Sequence, residues 1–157
     1  MRKKKKVKRQ IAPDPRYNDQ MVAKFINHLM QSGKKTTAQK ILYEAFDIIK
    51  QKTKKEGVLE IFTQAIKNAS PQVEVISRRI GGAHYQIPRE VGNERRVTLA
   101  MRWLIQAARQ VKGKKMAQKL AQEILAASQG EGGALKKKRE IEKVAEANRA
   151  FAHFAWR

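Results

Sequence analysis

The sequence has no cysteine and few acidic residues, and both shortages limit the functions open to it. Without cysteine, the 157-residue chain has no means to form a disulfide, a thiolate metal site or a cysteine nucleophile. No apolar run approaches the roughly 18 residues of a membrane-spanning helix. Only 14 residues are aspartate or glutamate, against 35 lysines and arginines. The formal charge of +21 predicts a polyanionic partner, and nucleic acid is favoured over an acidic membrane surface.

A catalytic constellation is also missing. The three histidines do not have the spacing of metal ligands, and Gly81-Gly82 lies between two strand-like runs instead of between a strand and a helix, as in a phosphate-cradling loop. Glu140, Glu142 and Glu146 are interleaved with basic residues, which is typical of a salt-bridged helix surface. We therefore expect no enzyme, no cofactor and no metal site.

Helical periodicity covers most of the chain and predicts a mainly α fold. Apolar residues at spacings of three and four predict helices over about 19–33, 36–57, 58–70, 94–112, 116–125 and 136–151. Asp19 or Asn18 is the predicted N-cap of the first helix, and Asn93 that of the fourth. The apolar stripes of these helices are expected to form the core.

Residues 73–91 are the only stretch typical of β-strands. Two β-type runs flank Gly81-Gly82, which predicts a two-residue hairpin turn. In that register Glu74 faces Arg89 as an ion pair, and Ile76 faces Ile87 as an apolar pair. Because an isolated hairpin is only marginally stable in water, its base should dock on helices. A solvated surface hairpin is the alternative to one that meets an anion.

The tip of this hairpin is the first candidate binding site. Its residues offer hydrogen-bonding groups or exposed backbone, and they are Ser77, Arg79, Gly81, Gly82, His84 and Gln86. Arginines on both faces of the tip, Arg78 and Arg79, indicate an anionic partner.

The N-terminal residues predict a basic arm. Residues 1–17 are expected to be disordered until they meet phosphate, and residues 18–157 to form a single helical RNA-binding domain. The cations of the arm are Arg2, Lys3, Lys4, Lys5, Lys6, Lys8 and Arg9. A nuclear-import tag is the alternative interpretation. No apolar signal region follows the arm, so secretion is not indicated.

Two further basic clusters lie on predicted helices. Arg95, Arg102 and Arg109 recur every seven residues, opposite the apolar face of the fourth helix, and no carboxylate follows Glu94 on that stripe. A solvated face is the alternative for this stripe. Trp103 beside it either stacks on an unpaired base or covers the core. The other cluster is predicted to fill the first turn of the last helix, where cations oppose the helix dipole and therefore indicate phosphate contact; it comprises Lys136, Lys137, Lys138 and Arg139.

Several motifs in one order give the chain a family resemblance. They are Asp14-Pro15, Gly33-Lys34-Lys35, Arg78-Arg79-Ile80-Gly81-Gly82-Ala83, Tyr85-Gln86-Ile87-Pro88, Arg102-Trp103-Leu104 and the ending from Ala145 to Phe154. Over essentially its whole length the sequence resembles bacterial small-subunit ribosomal protein number seven. The longer motifs are specific, whereas Gly-Lys-Lys alone is not.

The resemblance implies a fold, a function and partners. It implies a six-helix bundle with a two-stranded β-hairpin protruding between the third and fourth helices. It further implies a structural protein that binds the 3′ major domain of small-subunit ribosomal RNA and organises the subunit head. The hairpin and last helix would lie near the exit-site tRNA and the mRNA path, with ribosomal protein eleven as a neighbour.

The resemblance also carries specific RNA contacts over to this chain. In addition to the arm, the implied contacts are Lys34, Lys35, Arg78, Arg79, Arg95, Arg96, Arg102, Arg109, Lys114 and Lys115. A cytoplasmic, ribosome-bound protein is expected, with no membrane partner and no homo-oligomer. A free DNA- or RNA-binding architectural or regulatory protein, and an RNA-processing enzyme with a titratable pair, are the alternatives.

Overall fold

The described part of the chain, residues 11–53 and 57–156 of a computed structural model, is mainly helical; residues 155 and 156 are described by backbone alone. The helices are α1 (Gln20–Leu29), α2 (Lys35–Thr53), α3 (Val58–Ala69), α4 (Asn93–Gln110), α5 (Met116–Ser128) and α6 (Gly133–Ala147), and a 3₁₀ segment (Arg149–Trp156) follows. Strands β1 (Val73–Ile80) and β2 (Ala83–Glu90) form one antiparallel hairpin between α3 and α4. The predicted fold class, six helices with this hairpin, is confirmed.

The chain divides into two compact units, Met1–Lys40 and Ile41–Arg157. Within the first, the carboxylate of Asp19 caps α1 by accepting the backbone N–H groups of Met21 and Val22, as the sequence predicts. Phe25 and Ile26 are buried on the predicted apolar face. The basic residues predicted for the arm, Arg2 to Arg9, lie outside the described residues, and its division from a domain at 18–157 stays a prediction.

The core of the second unit is built by α3, α4, α5 and α6, which pack on one another. Phe62, Leu104 and Leu120 are fully buried within it, and the rings of Phe46 and Phe62 meet edge to face at 5.3 Å. Each fully buried side chain of this size stabilises the folded state by about 1.5–3 kcal/mol. This helical platform carries the hairpin and the outer face of α4.

Two helix starts differ from the prediction. Helix α4 begins at Asn93 itself, with Gly92 as the N-cap, so the predicted cap at Asn93 is wrong. Helix α6 begins at Gly133, three residues before the predicted start at Lys136. The reason is a tertiary contact, because the buried carboxylate of Glu123 on α5 accepts the N–H of Ala134 at 2.8 Å and satisfies the new helix end.

Candidate nucleic-acid interface

The hairpin has the predicted turn and register. Gly81 and Gly82 take φ values of 56° and 90°, the left-handed region that a tight two-residue turn requires and that glycine adopts without strain. Val75 pairs with Pro88 and Ile76 with Ile87. Because hydrogen-bonded and non-hydrogen-bonded pairs alternate away from the turn, Pro88 falls in a non-hydrogen-bonded pair and its missing N–H leaves the ladder intact.

The base of the hairpin is fixed to α4 by one buried carboxylate. Glu74, whose side chain is 12% exposed, accepts from Arg89 at 2.8 Å and from Arg95 at 3.2 Å. Arg96 Nε donates to the carbonyl oxygen of Val91 at 2.7 Å, across the junction between β2 and α4. The predicted Glu74–Arg89 pair is confirmed, and Arg95 and Arg96 have intramolecular partners that the sequence prediction omits.

The tip presents one continuous polar face. Ser77 pairs with Gln86 and Arg79 with His84, so all four side chains project from the same side of the ribbon. These four residues and both turn glycines are exposed. The hairpin therefore brings together the six tip residues predicted from the sequence.

The opposite face of the ribbon is braced by the C-terminal 3₁₀ segment. The ring of Tyr85 lies 5.1 Å from that of Phe151 and 6.2 Å from that of Phe154, measured between centroids. Arg78 Nη1 donates to the Phe154 carbonyl oxygen at 3.4 Å. The 3₁₀ segment therefore packs along β2.

The outer face of α4 beyond Glu94 is a basic surface, because the helix has no acidic residue after that position. Arg102 and Arg109 are exposed, and so are Gln106 and Gln110, which lie one helical turn apart beside them. Trp103 is only 8% exposed, which confirms that it covers the core and argues against a ring that projects beside the arginines. The sequence prediction omits the two glutamines. Two amides four residues apart on a helix face without carboxylates are a sequence pattern that indicates a polar binding surface.

The loop from α4 to α5 extends this basic surface. Residues 111–115 are all exposed, and Gly113 has a φ of 81° at the turn. Lys114 Nζ donates to the side-chain oxygen of Gln122 at 3.3 Å, a neutral partner, and it forms no ion pair with a described residue. Lys115 is the N-cap residue of α5. Both predicted lysines are therefore presented to solvent.

The four cations at the start of α6 have different surroundings. Lys136 is exposed at the fourth helical residue, and Lys137 pairs with Glu140 at 3.2 Å. Lys138 Nζ donates to the carbonyl oxygen of Asn68 in the last turn of α3 at 2.9 Å, and Arg139 donates to the Gly130 carbonyl oxygen at 3.2 Å. The prediction that these four cations fill the first turn is wrong, because α6 begins three residues earlier. Two of the four, Lys138 and Arg139, are hydrogen-bonded to backbone carbonyl groups of neighbouring segments.

Lys34 and Lys35 belong to the first unit. They lie at the junction of α1 and α2, after Ser32 and Gly33 with φ values of 50° and 74°, and both lysines are exposed. Among the described residues no group of three or more histidines or acidic residues is arranged to hold a metal ion. In the same residues, no helix combines the length and apolar character needed to cross a bilayer.

The sequence matches a family of known proteins. The model of the family described as ribosomal protein S7p/S5e matches residues 1–149. The small ribosomal subunit protein uS7 of Thermotoga maritima is 56% identical over 156 residues, which cover 99% of this chain and 100% of that protein. The corresponding protein of Francisella tularensis subsp. holarctica is 55% identical over 155 residues, 99% of each chain.

Proposed function

We propose that this chain, which belongs to the ribosomal protein S7p/S5e family and is a structural, non-enzymatic constituent of the small ribosomal subunit, binds the 3′ major domain of the subunit's RNA and organises the head. Family membership already makes it part of a ribonucleoprotein that serves translation and binds ribosomal RNA. It also favours this function over a free architectural or regulatory protein. The domain of the RNA and the residues that contact it are the proposal.

The observation that carries the proposal is the charge of α4 and its following loop. From residue 95 to residue 122 the sequence has eight lysines and arginines and no acidic residue. Arg102, Arg109, Lys114 and Lys115 are exposed on this segment. Cations in such a row neutralise successive phosphates and release condensed counterions, which is the main source of affinity for a nucleic-acid backbone.

Recognition is expected to rest on shape as well as charge. Phosphate contacts fix the register of a protein on RNA, and the deep, narrow major groove of A-form helices prevents side chains from reading base pairs there. A packed set of helices that carries a β-hairpin is suited to an irregular RNA junction. Arg95 and Arg96 serve this function partly by holding the ribbon base to α4, through Glu74 and the Val91 carbonyl group.

The hairpin and the last α-helix, α6, are proposed to lie near the exit-site tRNA and the mRNA path, with ribosomal protein eleven as a neighbour. The support is the exposed polar face formed by Ser77, Arg79, His84 and Gln86. The protein is proposed to be bound to the ribosome in the cytoplasm.

Filter binding to a transcript of the 3′ major domain tests the proposal. The expected log-log slope of affinity against salt is about −0.7 to −0.9 per phosphate neutralised, so several contacts give a steep dependence. A transcript of another small-subunit RNA domain is the control. Equal affinity for both transcripts, or no salt dependence, would contradict the proposal.

A further inference from the structure

A cleft of about 270 Å³ opens between α4 and the start of α6. Its polar rim is formed by Gln106 and Gln110 on one side and by Lys136, Lys137 and Glu140 on the other, with Trp103 as a wall. The floor is shallow because Ala107 and Gly133 bring the helices close together. A Cβ atom on Gly133 would lie 2.9 Å from the Cβ of Ala107.

The rim has the chemistry that recognises a nucleobase edge. Gln106 and Gln110 are exposed one turn apart, and each amide offers two donor hydrogens and an acceptor oxygen. Lys137 is paired with Glu140 at 3.2 Å, whereas the structure gives Lys136 no hydrogen bond or ion pair to a described residue. The rim therefore combines neutral amides with one uncompensated cation.

The neighbourhood of the cleft suits a polynucleotide. Arg102 precedes Gln106 by one helical turn and is exposed on the same side of α4. Phosphates held by Arg102 and Lys136 would therefore flank a base held by the amides. The volume of about 270 Å³ is many times what one water needs, so the cleft has room for a larger group.

We propose that this cleft receives one unpaired nucleotide of the ribosomal RNA, with its base against Gln106 and Gln110 and its flanking phosphates on Arg102 and Lys136. The inference rests on the proposed function and adds a nucleotide-specific contact to it. Sequence-specific recognition of RNA commonly uses unstacked bases whose edges are free for hydrogen bonds. An acidic peptide would satisfy Lys136 but would leave the two amides without charged partners, so a nucleotide is favoured.

The fluorescence of Trp103 reports occupancy of the cleft. The chain has two tryptophans, so Trp156→Phe leaves Trp103 as the only one. Titration of this variant with the 3′ major domain transcript should quench or shift the emission and should protect it from acrylamide. Unchanged emission and unchanged acrylamide quenching at saturating RNA would overturn the proposal.

Paired substitutions separate the cleft from general RNA binding. Gln106→Ala with Gln110→Ala should raise the Kd about tenfold, as expected for the loss of two neutral hydrogen bonds, without changing the salt slope. The matched control is Gln118→Ala, another exposed glutamine on a helix, which should bind as the original protein does. Lys136→Ala should instead lower the magnitude of the slope by about 0.7–0.9.

Chemical probing of the transcript identifies the nucleotide. One unpaired base should be protected by the original protein and by Gln118→Ala, and should regain reactivity with the double glutamine variant. If that variant retains full affinity and the same footprint while binding stays salt-dependent, the cleft proposal fails and the proposed function stands. If no variant and not even the original protein binds the transcript, the proposed function itself fails. Fluorescence that responds only to an acidic peptide would assign the cleft to a protein partner and overturn the proposal.

Discussion

Removal of the ring contacts that Phe151 and Phe154 make with Tyr85 should destabilise the outer half of the hairpin without unfolding the helices. The perturbation is Phe151→Ala with Phe154→Ala, which eliminates both ring contacts of Tyr85, at 5.1 and 6.2 Å. Each aromatic pair contributes about 0.5–1.5 kcal/mol beyond its buried area, so the two together stabilise the closed hairpin by about 1–3 kcal/mol. Arg78 and Tyr85 form a hydrogen-bonded pair, since pairs alternate from Ile80–Ala83 at the turn.

Amide hydrogen exchange of the free protein is the assay. Because about 1.4 kcal/mol corresponds to a factor of ten in an equilibrium constant, exchange at Arg78 and Tyr85 should accelerate roughly 5- to 150-fold, and amides of α4 and α5 should not change. Arg149→Gln, an exposed change in the same segment, is the control. Unchanged protection at Arg78 and Tyr85 would refute the claim that the two phenylalanine rings stabilise the hairpin. Loss of protection throughout α4 would mean that the 3₁₀ segment is part of the helical core.

Three further sets of substitutions test the packing of the helices and the basic face of α4. Arg102→Ala with Arg109→Ala should reduce the magnitude of the salt slope for RNA binding by about 1.4–1.8 and leave the Tm unchanged; a lowered Tm would show that these arginines support packing. Glu123→Ala should lower the free energy of unfolding by about 1–3 kcal/mol in urea titration, because the Ala134 N–H loses a buried acceptor. Glu123→Gln keeps an acceptor oxygen and should lower it by less. Equal losses of stability in the two variants would contradict the capping role of Glu123. Gly133→Ala should lower the free energy of unfolding by about 1–3 kcal/mol, because the added Cβ would lie 2.9 Å from the Cβ of Ala107. Gly92→Ala is the control and should be tolerated, because Gly92 has open space around it and a φ of −67°. Similar Tm values for the two variants would contradict the close approach of α4 and α6.

Local patterns in the sequence predict the hairpin in detail. Two glycines between β-type runs set the turn, and the turn sets the pairing of Glu74 with Arg89 and of Ile76 with Ile87. The six helices follow from apolar periodicity in the same way. These features depend on neighbours within a few residues, or on a register fixed at one point, and such information is present in the sequence.

The intramolecular partners of the cations are not predictable in this way. Arg96, Lys138 and Arg139 donate to the backbone carbonyl groups of Val91, Asn68 and Gly130. A carbonyl group is present at every residue, so the sequence does not indicate which one a distant lysine will reach. A basic cluster in the sequence therefore overestimates the cations that are available to RNA.

The residues at which α4 and α6 begin are also not predictable from the sequence alone. Asn93 is a favoured capping residue, yet α4 begins on it, with Gly92 as the N-cap and no side-chain hydrogen bond from the cap. The beginning of α6 is fixed by Glu123, ten residues before Gly133 on another helix. Tertiary contacts of this kind override local capping preferences.

Crosslinking with mapped sites in assembled small subunits tests whether the proposed RNA-binding surfaces contact the 3′ major domain. Crosslinks are expected from the hairpin tip near Arg79 and from the outer face of α4 near Arg102 to nucleotides of that domain. Crosslinks that map to another domain of the RNA, or that spare both of these surfaces, would contradict this expectation.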